Sequence, residues 1–131
     1  MKYLLDVSGF VALGYAGHSE HAQADKWLVA QKSQGAEFYV CSIAELGFLR
    51  VGVGGQYMPD WQSALAAMHR VARSIPAQFL ADDEPIQSLP RAVKTGNDAT
   101  DAHLLRLAKS HGMTLATGDR RLTAQGATLL A

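Results

Sequence analysis

The stretch NDATDAHLLRLAKSHGMTLATGDRR, Asn97 to Arg121, decides the fold class of this chain. Its acidic opening leads into a helix from about Ala99 to Ser110, with Leu104, Leu105, Leu107 and Ala108 on the buried side. Gly112 is the residue type that stops a helix by turning left-handed. Met113–Thr117 is then a short apolar run of strand length, and Asp119 stands where it ends. A helix delivered straight into a buried strand is the repeating unit of a parallel sheet. Asp98 and Asp101, three residues apart, share a face if both lie in the first helical turn. Residues beyond the carboxyl ends of parallel strands converge on one crevice, so Asp119 is directed there too. Carboxylates gathered in one crevice repel one another, and a hard divalent cation with oxygen ligands relieves the repulsion.

The rest of the chain repeats this alternation. Tyr3-Leu4-Leu5 is a buried strand ending at Asp6, and Ser8 fits the cap of a short helix that stops near Gly17. Ser19 suits the cap of a second helix through about Lys32, terminated by Gly35. Glu37–Cys41, aromatic and β-branched, is a second strand. Ser42-Ile-Ala-Glu45 has the pattern of a capping box, opening a helix from Ile43 to about Val51, with Gly52–Gly55 as the loop after it. Asp60 caps the clearest helix, in which Trp61, Ala64, Leu65, Met68, Val71, Ala72 and Ile75 recur at three and four residues until Pro76. Gln78–Leu80 is a short third strand, Pro85–Leu89 a small helix, and Ala127–Leu130 a fifth strand. The sum is a single α/β domain, residues 1–131, built on a mainly parallel sheet of four to five strands with helices on both faces.

With 48% hydrophobic and 18% charged residues, the chain has the composition of one folded domain with a real core. A net charge of zero gives no overall attraction to nucleic acid, so any such binding needs a local basic patch. The single Cys41 excludes an intrachain disulfide and favours a cytoplasmic protein. Asp6 interrupts the apolar N-terminal run, which therefore does not suit a signal peptide, and no segment approaches a membrane span.

Asp6, Glu45, Asp101 and Asp119 occupy four corresponding positions at the ends of strands or the first turns of the helices that follow. Each alone is explicable as a turn or cap residue; together they point to one site. The chemistry suits Mg²⁺ or Mn²⁺, which accepts one or two carboxylates and keeps waters and phosphate oxygens as other ligands. Ser8 and Thr117, each two residues from an aspartate, are placed either to orient ligands or to pair locally. Arg120 and Arg121 adjoin the acids and are the best candidates for phosphate contacts, ahead of Arg50 and Lys94. His18 and His21 suit solvent, His103 lies about 200° around its helix from Asp101, and Trp61, Met68 and Phe48 suit the core or a subunit contact.

Leu-Leu-Asp6-Val-Ser8, Ala-Glu45-Leu, Thr100-Asp101-Ala-His-Leu-Leu-Arg-Leu-Ala108 and Thr117-Gly-Asp119-Arg, in that order, resemble the PIN domain, in particular the VapC-type toxins of bacterial toxin–antitoxin pairs. The resemblance covers essentially the whole chain. It implies a three-layer α/β/α sandwich and an endoribonuclease dependent on Mg²⁺ or Mn²⁺, with Asp6, Glu45, Asp101 and Asp119 as catalytic and metal-holding acids and Asp98 as an accessory. It also implies an RNA substrate, a small antitoxin protein and a homodimer. A PIN-like module that binds RNA or protein without cutting is the alternative. Arg121 departs from the pattern, since that position is often aromatic in the family, and so does the flexible Gly118 before the last aspartate.

Overall fold

Among the described residues, five parallel strands lie in the order β3-β2-β1-β4-β5: Lys2–Leu5 is β1, Glu37–Val40 is β2, Ala77–Phe79 is β3, Thr114–Thr117 is β4 and Thr128–Leu129 is β5. The computed structural model describes residues 1–86, 90, 91 and 93–131. The helices are α1 (Val7–Gly14), α2 (His21–Ser33), α3 (Ser42–Gly54), α4 (Trp61–Ser74) and α5 (Gly96–Ser110), and a 3₁₀ turn, Arg120–Gln125, follows β4. Right-handed crossovers that first step outward from β1 to β3 and then return to β4 put α1–α4 on one face and α5 on the other. The result is an α/β/α sandwich whose middle strand, β1, is flanked by β2 and β4.

The strand sequences explain this order. Tyr3, Leu4 and Leu5 are all buried, as are Leu115, Ala116 and Thr117 in β4, so both strands are covered on both faces. Phe79 in β3, by contrast, is well exposed, as suits a strand at the sheet edge. Tyr3, Trp27 and Phe38 form one aromatic cluster under α2, with Tyr3 and Trp27 edge to face at 5.0 Å. Phe10, Phe48, Tyr15 and Tyr57 form a second, with centroid separations of 4.6, 4.3 and 5.0 Å along the series. The Tyr15 hydroxyl donates to the Phe48 carbonyl at 2.7 Å, so a buried polar tip is satisfied, and burial pushes it up to about 12.

Several local expectations are corrected. Asp6, not Ser8, caps α1: its carboxylate accepts from the Gly9 amide at 2.7 Å, and Ser8 lies inside the first turn. The Ser42–Glu45 capping box does not form, because Cys41 holds the cap position and Ser42 is already helical. Gly52–Gly54 continue α3 rather than looping. The reason is tertiary: Gly47 and Gly52 let Val7 and the Tyr15 hydroxyl press against the helix backbone where a methyl group would collide. Asp60 caps α4 as expected, through the Ser63 amide at 2.7 Å, but Trp61 is 56% exposed and Leu65 also faces out. Thr95 caps α5, which therefore begins three residues before Ala99. Pro85 and Ile86 carry no helix, and the rest of the small helix expected there, Gln87–Leu89, lies outside the described residues.

Candidate active site

The order of the sheet reverses at β1, so the carboxyl ends of β1 and β4 lie side by side at the switch point. Asp6 leaves β1 and Asp119 leaves β4, and the first turn of α5 brings Asp101 over them. The three carboxylates line one cleft of about 830 Å³, together with Ser8, His18, Arg50, Asn97, Thr100 and Arg121 among others.

Asp6 is buried, and its carboxylate is held by a small network. Ser8 Oγ donates to Oδ1 at 2.9 Å beside the Gly9 amide, while Thr117 Oγ1 donates to Oδ2. Each hydroxyl has one proton, and each gives it to Asp6. Their acceptor sides are therefore turned to the backbone: Ser8 Oγ takes the Gly118 amide and Thr117 Oγ1 the Asp119 amide, both at 2.9 Å. The two side chains thereby tie the end of β1 to the end of β4. Burial pushes the Asp6 carboxyl above the ordinary aspartate value, against the pull of the Thr117, Gly9 and Ser8 hydrogen bonds, and Asp119 adds to the rise.

Asp101 is pushed up to about 6, first by burial and then by the like charges of Asp6 and Asp119. Asp119 moves the other way. Arg121 clamps it through Nη2 to Oδ2 at 2.7 Å and Nε to Oδ1 at 3.1 Å, and the Arg121 amide adds a bond to Oδ1 at 2.9 Å. That fork holds the Asp119 carboxyl below the usual range.

The remaining expected residues fall outside this group. Glu45 is half-buried and does not line the cleft; α3 presents Ile43, Leu46, Gly47 and Arg50 there, and Glu45 lies about 200° around the helix from Ile43 and Gly47. Burial raises its carboxyl, and the charge that acts on it is His69 of α4. The shift of the cap from Ser42 to Cys41 does not alter which side of the helix it occupies. Asp98 is likewise off the cleft: its carboxylate accepts the Lys94 amide at 3.2 Å, although its charge reaches Asp101 and Arg121. The cleft-facing positions of α5 are Asn97, Thr100, Asp101 and Leu104, the i, i+3, i+4, i+7 set. Arg120 is exposed and off the cleft wall, whereas Arg121 is on it.

His18, expected in solvent, lines the far end of the cleft. Its Nδ1 accepts the Glu20 amide at 3.1 Å and its ring stacks near Tyr57. His103 is buried on another side of α5 against Asp82, at 2.8 Å. Asp83 meets His111 and Glu84 meets Arg106, so the segment after β3 is pinned along α5 by two histidine–aspartate hydrogen bonds and an arginine–glutamate ion pair. Nothing local in the sequence marks those partners.

A hard divalent cation fits this donor set. Three carboxylates face one cleft, and Asp101 carries the cost of standing beside two others, a repulsion that a cation would cancel. Among the described residues, no three His, Cys, Asp or Glu side chains stand as a ready-made metal cage. An ion such as Mg²⁺ keeps several waters and is held by one or two carboxylates.

A family profile described as PIN domain matches residues 3–127. This chain belongs to the PIN domain family. Among curated relatives of this PIN domain, Ribonuclease VapC38 of Mycobacterium tuberculosis H37Rv is 35% identical over 123 residues, covering 88% of this chain and 84% of that protein. Ribonuclease VapC39 of the CDC 1551 strain is 30% identical over 129 residues, covering 93% and 91%. The crystal structure of PAE2754 from Pyrobaculum aerophilum superposes with a TM-score of 0.60 over 99% of this chain and 84% of that one; at 24% identity it speaks for the fold. The fold expected from the resemblance, an α/β PIN architecture around a parallel sheet, is the one observed. Among the described residues, no helix is long and apolar enough to cross a membrane.

Proposed function

We propose that this PIN domain is a divalent-metal-dependent endoribonuclease, the toxin of a VapBC-type pair, acting in the cytoplasm on RNA phosphodiester bonds. The observation that carries the proposal is the convergence of Asp6, Asp101 and Asp119 on one cleft, with Asp101 pushed up to about 6 by burial and then by its two acidic neighbours. Relatives bearing the name Ribonuclease VapC over nearly the full chain support the same reading.

Asp6, Asp101 and Asp119 would hold Mg²⁺ or Mn²⁺. When bound, such an ion supplies positive charge for the phosphodiester oxygens and acidifies water for attack. The chain's own part is positional. Ser8 and Thr117 spend their protons on Asp6, which fixes the carboxylate's plane and favours its charged form against the opposing effect of burial. Asn97 and Thr100 offer hydrogen-bonding groups to a ribose or phosphate next to Asp101, and Arg121 offers a guanidinium at the cleft mouth. Arg120, exposed beside it, would add a phosphate contact outside the cleft. Glu45 would act on the site from behind α3 rather than as a ligand, and Asp98 through its charge alone.

A small antitoxin protein would block the cleft, and the chain would work as a homodimer. The exposed Trp61 and Leu65 of α4 support a protein contact. Light scattering checks the dimer. The nuclease is tested by incubating a mixed RNA panel, tRNAs included, with wild type and Asp101→Asn in Mn²⁺. Cutting that needs the metal and disappears in the variant supports the proposal. Absence of cutting by a folded, metal-binding wild type would favour the non-cutting RNA- or protein-binding module instead.

A further inference from the structure

Arg121 commits both oxygens of the Asp119 carboxylate, through a side-chain fork and its own amide. The guanidinium keeps its charge at any working pH, so a divalent cation approaching Asp119 meets a positive neighbour already in place. Yet the clamp is built to open. The Arg121 side chain is 74% exposed, so leaving costs it little desolvation and its attraction to Asp119 is weakened by water. Its planar fork matches a phosphate as well as it matches a carboxylate. It also stands on the wall of the cleft that holds Asp6 and Asp101, where a strand of RNA brought up to those acids would place a phosphate.

We propose that Arg121 is an intramolecular counter-ion that occupies Asp119 until an RNA phosphate draws it away, so that metal binding and RNA binding favour one another. The inference rests on the metal-holding role given above to Asp119. It makes the free protein a weak metal binder and the RNA-loaded protein a stronger one. By linkage, the factor by which RNA raises metal affinity is also the factor by which metal raises RNA affinity.

The test is a titration of Mn²⁺, followed by electron paramagnetic resonance, into wild type, Arg121→Gln and Arg121→Lys. Each protein is measured alone and with a mixed-sequence 2′-O-methyl oligoribonucleotide, which cannot be cut. Without oligonucleotide, Arg121→Gln should bind Mn²⁺ about fivefold tighter than wild type, the scale of one exposed charge pair, with Arg121→Lys between them. The oligonucleotide should tighten Mn²⁺ binding by wild type and leave Arg121→Gln unchanged. Equal or weaker Mn²⁺ binding by Arg121→Gln alone would overturn the inference while leaving the metal site standing. An oligonucleotide without effect on wild type would overturn the coupling. No Mn²⁺ binding by any of the three proteins would overturn the metal site itself, and the counter-ion role with it.

Discussion

Replacing Asp101 by Asn should stabilise the metal-free protein at neutral pH. Its folded-state value of about 6 lies above the ordinary 3.8, so the ionised form is disfavoured on folding. For a group raised in this way, stability is present in full below the unfolded value and is lost as pH rises through the folded one. At pH 8 wild type therefore carries the whole penalty, and asparagine, equal in shape, carries none. The displacement is worth roughly 3 kcal/mol if fully felt. Asp101 is only partly buried, and discounting for solvent screening leaves about 1.5 kcal/mol. In a domain of this size that corresponds to a Tm gain of roughly 4–7 °C. Urea unfolding at pH 8 and pH 4.5 in EDTA checks it: the gap should be largest at pH 8 and fall to about a third at pH 4.5. Saturating Mn²⁺ should reverse the order, because only wild type keeps the third carboxylate. Equal stability at pH 8, or a gap independent of pH, would refute the electrostatic account of the cleft.

Thr117→Val removes the donor to Asp6 and leaves the Asp119 amide without its acceptor; losing a hydrogen bond to a charged group costs about 1.5–3 kcal/mol. RNA cleavage should fall at least about tenfold, the acidic limb of its pH profile should move to higher pH, and Thr117→Ser should restore both. Glu45→Gln should keep Mn²⁺ affinity within about threefold of wild type, whereas Asp119→Asn should lose binding; calorimetry separates them, and equal loss would return Glu45 to the ligand set. Gly52→Ala should destabilise by about 1–3 kcal/mol despite the better helix propensity of alanine, because its methyl meets the Tyr15 hydroxyl; thermal unfolding checks it.

The acids that close on the cleft were legible because they follow strands directly: Asp6 after β1 and Asp119 after β4 need only the strand itself to be placed. Asp101 was legible from the helix start, but its true neighbours on that face, Asn97 and Thr100, depend on where α5 turns toward the sheet. Glu45 was singled out by its place in the first turn of the helix after β2, a pattern that fixes a helix start and says nothing about which side will face the crevice. The run Gly52–Gly54 misled for a related reason, since glycine weakens a helix locally yet is required wherever another element presses against its backbone. Trp61 satisfied the apolar period of α4 but lies at its exposed N-terminal end. The Thr117–Asp6 and Gly118–Ser8 bonds and the Asp82–His103 pair join residues far apart in sequence, and no local pattern encodes such partners.

The adjacency of β1 and β4 has a consequence for synthesis. β1 finds β2 early but waits for its second neighbour, β4, until residues 114–117 have been made, because Leu5 pairs with Ala116 and Asp6 is completed by Thr117. A polypeptide still emerging from the ribosome has the first aspartate and the helices around it, yet neither the partner hydroxyl nor the last acid. An interrupted product that stops short of β4 therefore lacks both Thr117 and Asp119 and leaves the cleft incomplete. For a protein proposed to cut RNA inside the cell that makes it, the connectivity of the sheet acts as a safety catch on its own production.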